Sequence, residues 1–307
     1  MRKLIPVLIP FLPWLAMANA WAHDVEHEPV AQDVLRWGAE WYVLACLALS
    51  LGLYILGAAR LRSRARQSRA SVERRDACFA AGWVALALAL ASPIDGAGSL
   101  AFAAHMVQHE VLMIVAAPLL VLGRPFGPWT WALPPRWRQR VGRLTRARAV
   151  ALPWRALTAP LSAWMLHFAA LWLWHVPALF QAGLQNNGVH ALQHASFLFT
   201  ALLFWWAVLG GQRAGAAPGA GIVYLFTTMM YTGALGALFT VSETMWYPWY
   251  GHGAARFGLT PLEDQQLGGL IMWIPAGLVY LVAGLVLAAG WLRRDVSAPG
   301  MLTGAQR

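Results

Sequence analysis

The chain has 307 residues, of which 59% are hydrophobic and 12% charged. So little charge cannot clothe an ordinary soluble surface, and the composition is that of an integral membrane protein. A net charge of +10 would suggest a nucleic-acid partner in a soluble chain, but here the arginines gather in linkers between apolar segments. They read as topology signals that meet membrane lipids, and nucleic acid is not expected as a partner.

Arg2 and Lys3, the apolar run from Leu4 to Ala18 and the small residues Ala18, Ala20 and Ala22 stand in the order of a secretory signal peptide. Residues 1–22 are therefore expected to be cleaved, and 23–36 to form a short periplasmic segment. Seven apolar segments follow: Trp37 to Ala59, Asp76 to Ser92, Leu100 to Leu122, Pro160 to Ala182, Val189 to Gly210, Gly221 to Val241 and Leu267 to Trp291. Most approach the ~20 residues that a helix needs to cross a bilayer, and the second is the shortest. The expected fold is all-α, a polytopic protein with seven transmembrane helices over 37–292 and a tail at 293–307.

Arginines from Arg60 to Arg75 fill the first linker, and those from Arg124 to Arg155 fill the third. Arg213 stands in the fifth, and Arg293, Arg294 and Arg307 in the tail, whereas the opposite side holds only Arg36 and Arg256. The arginine-rich side is cytoplasmic by the positive-inside rule, so the chain is expected in the bacterial inner membrane with its N-terminus outside and its C-terminus in the cytoplasm. Trp129, Trp131, Trp137 and Trp154 in the long third linker suit the headgroup level of the inner surface.

One pattern occurs twice, as His105-Met-Val-Gln-His109 and His190-Ala-Leu-Gln-His194, each time near the outer end of an apolar segment. Histidines four apart share a helix face about 6 Å apart along the axis, a chelating arrangement. Counting ~1.5 Å per residue from the outer end places His105, His109, His190 and His194 within about 13 Å of it, and His175 at roughly 10 Å. His167 falls two turns deeper. A single such pair is as well explained by hydrogen bonds that pack helices. Five imidazoles converging at one depth favour a metal site, because imidazole is costly to bury unpartnered and is the commonest metal ligand.

Ligand softness points to copper. Met113 continues the His105–His109 stripe and Met272 lies in the last segment, and imidazole with thioether suits Cu(I). Apolar packing is the simpler account of each methionine alone. Cys46 and Cys78 form no C-x-x-C pair, so no thiol carrier or dithiol redox site is written here. Glu110, Asp264, Gln108, Gln193 and the deeper His167 are candidates for orienting the ligands. Thr260-Pro261 with acids behind it reads as a helix start, and Gly268 and Gly269 would let another helix approach closely. Helix capping and packing leave Gln265, Gln266 and Trp273 without a reason.

The H-x-x-Q-H element at His105–His109, the run Ala117-Pro-Leu-Leu-Val-Leu-Gly-Arg-Pro125, the His190/His194 pair before Phe204-Trp-Trp206, and Asp264-Gln-Gln-Leu-Gly-Gly-Leu-Ile-Met-Trp273 together resemble the multi-span CtaG family, the caa3-type cytochrome c oxidase assembly factors. The resemblance runs over roughly residues 40–292. It implies a helper in maturation of haem-copper oxidases, with oxidase subunits as partners, and not a subunit that turns over oxygen.

The working expectation is that the outer histidines hold copper in transit to the oxidase, with Met113 and Met272 as soft auxiliary ligands. A b-type cytochrome with bis-histidine haem is a second reading, and a small-molecule or metal transporter with Gly- and Pro-interrupted helices a third. A retinal protein is excluded, because the sole lysine, Lys3, lies in the expected signal peptide. No nucleophile with a positioned base, phosphate loop or dinucleotide fingerprint is visible, so no enzyme is expected.

Overall fold

The computed structural model describes residues 37–63, 69–210, 218–251 and 253–296. The expected signal peptide, the segment 23–36, Arg64, Arg66, Arg213 and residues 297–307 of the tail lie outside the described residues.

Among the described residues all regular structure is helical. The helices are α1 (Trp41–Arg62), α2 (Arg69–Ala91), α3 (Pro93–Leu100), α4 (Phe102–Gly123), α5 (Phe126–Ala132), α6 (Pro135–Leu144) and α7 (Arg148–Leu157). They continue as α8 (Pro160–Trp174), α9 (Pro177–Gln185), α10 (Asn187–Leu209), α11 (Pro218–Val241) and α12 (Pro261–Val296), with short 3-10 turns at Pro248–Gly251 and Ala254–Phe257. Five of them are long and apolar enough to cross a membrane, and up to seven spans result if α2 with α3 (44° bend) and α7 with α8 (67°) each count as one.

The expected helix from Pro160 to Ala182 is the clearest departure. It breaks at His175 and Val176, and α9 starts afresh at Pro177. Proline has no N–H to continue the ladder and forces the residue before it out of the helical region; Val176 is accordingly extended, with ψ 128°. His175 therefore caps the end of α8 instead of lying two turns inside a span. A similar device separates α2 from α3, where Ser92 accepts a hydrogen bond from Ile94 N and Pro93 opens the new helix.

Helix α4 is the axis of the bundle: 67% of its most apolar stretch is buried, against 28% for α1 and 17% for α12. Its middle, Val111–Ala116, is wound as a π-helix. Pro118 supplies the reason, since its ring would clash with the carbonyl of Ile114 and it cannot donate to it; the wider turn absorbs the conflict. The widening also ends the straight stripe from His109 to Met113 on which the sequence expectation for Met113 rested.

Helices α11 and α12 pack backbone to backbone. A Cβ on Gly236 would stand 2.7 Å from the Gly269 carbonyl oxygen, and one on Gly269 2.6 Å from that of Gly236, so only glycine permits this backbone contact. Gly268 similarly receives the ring of Phe102 on α4. The expected small-residue face of α12 is thus real and has two partners.

Candidate metal centre

The N-terminal turns of α4 and α10, the end of α8, helices α3 and α9, and the segments 242–251 and 253–260 meet at one end of the bundle. Helix α4 is fixed there by an acid from another helix: Asp264 on α12 accepts hydrogen bonds from Phe102 N (2.7 Å) and Ala103 N (3.0 Å). The first N–H groups of a helix have no partner of their own, and a buried carboxylate supplies one. Asp264 was expected to orient an imidazole; it instead orients the helix that carries two of them. Gln265 accepts from Trp246 N and donates to the Thr244 carbonyl, while Gln266 donates to that of Ser242. The Asp-Gln-Gln run is therefore a clamp, closing both α4 and the 242–246 segment onto α12.

Five histidines come together as the sequence suggested. Ring centroids lie 4.3 Å apart for His105 and His109, 4.1 Å for His190 and His194, 5.1 Å for His109 and His194, and 5.3 Å for His105 and His190. His175 is 6.1 Å from His109. Phe180 packs on His105 and His175, and Phe197 on His109 and His175. These two phenylalanines cover His105, His109 and His175. His105 and His109 are fully buried, His194 nearly so, and His190 only half-buried.

The hydrogen bonds select the tautomers. Tyr250 donates its hydroxyl proton to the Gly98 carbonyl (2.9 Å), and His105 Nδ1 lies 3.2 Å from the Tyr250 oxygen and 3.3 Å from the same carbonyl. The carbonyl can only accept and the phenol proton is already committed, so Nδ1 of His105 carries the ring proton and Nε2 offers a lone pair. Burial raises the Tyr250 pKa above its ordinary value, and the Asp264 carboxylate adds to this, which keeps that donor protonated. His175 Nδ1 faces the Leu171 carbonyl at 2.6 Å, leaving its Nε2 bare by the same logic.

His109 Nε2 stands 2.9 Å from His105 Nε2 and donates to it. Among the described residues His109 Nδ1 and the Nε2 atoms of His175, His190 and His194 are buried and make no hydrogen bond. Such groups are costly unless something binds them.

Two sets of ligand atoms converge. One is His105, His109 and His194, all buried; the other is Asp95, His190 and His194, and in each set the atoms lie within 4.8 Å of one another. Metal–nitrogen bonds of ~2.0 Å in a trigonal site put neighbouring nitrogens ~3.5 Å apart, so small ring rotations bring the first set to bonding distance. Asp95 was not foreseen. It follows Ser92-Pro93 in the first turn of α3, a helix-start signature that an apolar-segment count passes over. Gln108 donates to Asp95 (2.6 Å) and to the Ala89 carbonyl (2.8 Å), and so ties the carboxylate of the second set to the backbone of α2. Tyr250 was missed too; the aromatic cluster Trp246-Tyr-Pro-Trp-Tyr250 in a linker was its only signal. Tyr247 donates to the His175 carbonyl at 2.7 Å.

Other expected residues lie apart from these sets. His167 faces Thr200 (3.3 Å) and packs on Phe204, with no imidazole beside it among the described residues. Its two-turn greater depth is the reason. Glu110 is buried, but no described hydrogen bond joins it to an imidazole; one residue beyond His109 places it on another face, toward Tyr280 of α12. Gln193 is the exception: buried against Gly183 of α9, it has its side chain beside His105. Met113 and Met272 are buried in the apolar core as gap-filling side chains.

A bundle with five to seven candidate membrane spans, closed at one end over a buried imidazole cluster, defines the class: a helical membrane protein with a built polar centre. A family model described as cytochrome c oxidase caa3 assembly factor matches residues 52–294, and the chain belongs to that family. It is 29% identical over 265 residues to uncharacterized proteins of Mycobacterium bovis and Mycobacterium tuberculosis, covering 82% of this chain and 38% of each of them. An uncharacterized protein of Mycobacterium leprae is 26% identical over 296 residues, covering 90% of this chain and 43% of the relative. The chain thus spans about two fifths of the length of the curated relatives it matches. No solved structure matches it.

Proposed function

We propose that the chain spans the bacterial inner membrane seven times, N-terminus outside, and serves the assembly of a haem-copper cytochrome c oxidase by holding copper in transit. The cargo sits on His105, His109 and His194 and passes to an oxidase subunit; the chain is a carrier and not a catalyst. The family supports the assembly role. The observation that carries the copper reading is the convergence of three buried imidazoles from two helices with their ligand atoms within 4.8 Å.

The donor set is neutral. Three imidazoles in a water-poor, aromatic pocket suit a monovalent soft cation, because the cost of burying an ion rises steeply with its charge. Binding needs no net proton loss at His109: the cation takes the place of the Nε2 proton, which the bare Nδ1 can carry. A haem is disfavoured by the same geometry, since rings with centroids 4.3–5.7 Å apart and walled by Phe180 and Phe197 leave no slab for a macrocycle.

The test is anaerobic titration of the purified chain with Cu(I), beside the variant His105→Ala/His109→Ala/His194→Ala. One tightly held Cu(I) in the native chain and none in the variant is expected, with oxidase activity in a strain carrying the variant falling to that of a deletion strain. Equal binding by both proteins would remove the copper reading, while loss of oxidase in the deletion strain would keep the assembly role.

A further inference from the structure

His194 belongs to both convergent sets. We infer that the cluster is a two-station relay, in which a half-buried receiving site of Asp95, His190 and His194 passes its cation one helical turn inward to His105, His109 and His194, with His194 bound throughout. This rests on the carrier reading above and adds to it a route and an order of events.

Three observations support it. The first is the gradient of burial: Asp95 and His190 are half-buried at the bundle end, whereas His105 and His109 are fully buried. A cation arriving from water meets the former pair first. Second, of the two sets only the receiving one contains a carboxylate. An anion draws the hydrated cation and offsets its charge while it sheds water. Gln108 holds that carboxylate to the Ala89 backbone, so Asp95 cannot travel with the ion. Third, the acceptor rings are adjacent to the ones they replace: His105 is 5.3 Å from His190 and His109 is 5.1 Å from His194, centroid to centroid.

Transfer is then two ligand exchanges without redox change. His109 first exchanges its Nε2 proton, which His105 Nε2 accepts, for one on Nδ1, and this frees both Nε2 lone pairs. His105 Nε2 then binds as the Asp95 oxygen leaves, and His109 Nε2 as His190 leaves. Because one ring serves both stations, two cations cannot be held together. Stepping away from the carboxylate also filters the cargo, since a divalent ion loses more than a monovalent one on leaving its anion for a neutral pocket.

The experiment uses the full-length purified chain, Cu(I) delivered from a chromophoric chelator under anaerobic conditions, stopped-flow loading and X-ray absorption. The native chain is expected to take one Cu(I) with nitrogen ligands only. Asp95→Asn and His190→Ala should each keep that stoichiometry and ligand set while loading at least about tenfold more slowly. His105→Ala/His109→Ala should retain one Cu(I) with mixed nitrogen and oxygen ligands. His190→Ala removes no described side-chain hydrogen bond, so it stands as the second arm should Asp95→Asn disturb the fold. Two Cu(I) per native chain, or native loading rates in both receiving-site variants, would overturn the relay and leave the carrier reading intact. A native chain that binds no Cu(I) would overturn both.

Discussion

The two ends of the bundle solve opposite problems. At the end holding the histidines, one buried ring nitrogen of each of His109, His175, His190 and His194 stands without a hydrogen-bond partner among the described residues, beside the rings of Phe180 and Phe197. At the arginine-rich end a cavity of about 70 Å³ is lined by Leu86, Leu120, Phe126, Trp129, Leu202 and Trp206 among others, and the indole N–H of Trp129 is satisfied by the Ser50 carbonyl at 2.9 Å. Among the described residues the cavity lining leaves one buried polar atom without a partner, the indole nitrogen of Trp154, whereas the histidine end gathers four bare imidazole nitrogens, as a binding site does. Burial alone does not mark function. What distinguishes the histidine end is burial of polar atoms whose geometry is fixed by further hydrogen bonds.

That contrast can be broken by substitution. The largest effect is expected at Asp264→Ala, which strips two buried N–H groups at the start of α4 of their acceptor; about 3 kcal/mol of stability should go, read as a lower Tm in detergent, and Cu(I) affinity should fall with it. A Tm unchanged by this variant would mean that the clamp does not hold the helix. Tyr250→Phe comes next. It keeps the ring but removes the hydroxyl that joins the Gly98 carbonyl to His105 Nδ1, leaving only the 3.3 Å carbonyl contact to orient the imidazole, and a loss of about tenfold in Cu(I) affinity with little change in Tm is expected.

At the other end, Trp129→Phe should cost about 1 kcal/mol in thermal stability, for one hydrogen bond, and leave Cu(I) affinity as it was. A change in affinity there would show that the two ends are coupled. The smallest effect belongs to the ion pair of Arg62 with Asp76, whose arginine side chain is 59% exposed. Arg62→Gln should shift stability by less than about 0.5 kcal/mol, and less still at high salt.

Much of this molecule was legible as a sequence, and for identifiable reasons. Long apolar runs have few folds open to them in a bilayer, so helices at α1, α4, α10, α11 and α12 followed from composition. Helical periodicity then put His105 with His109 and His190 with His194. The start of α12 was readable as well: Thr260 N donates to Glu263 at 2.8 Å and Glu263 N returns a bond to Thr260, a reciprocal cap written in four residues.

Other features were legible only in part. The break at Pro177 was present in the sequence, but an apolar count across Pro160 to Ala182 does not register it. The π turn at Val111–Ala116 needed the pairing of Pro118 with a carbonyl four residues earlier.

The one-dimensional chain determined which segments are long and apolar enough to cross a membrane, which linkers carry positive charge and which histidines share a helix face, because each of these depends on residues within a few turns of one another. Tertiary structure alone decided that Asp95 joins His190 and His194, that Asp264 caps α4 across 162 positions, and that Tyr250 selects the tautomer of His105. Those are meetings between separate helices and a linker. Their distances are set by how glycine faces and proline breaks let the helices pack, and local periodicity carries no information about that.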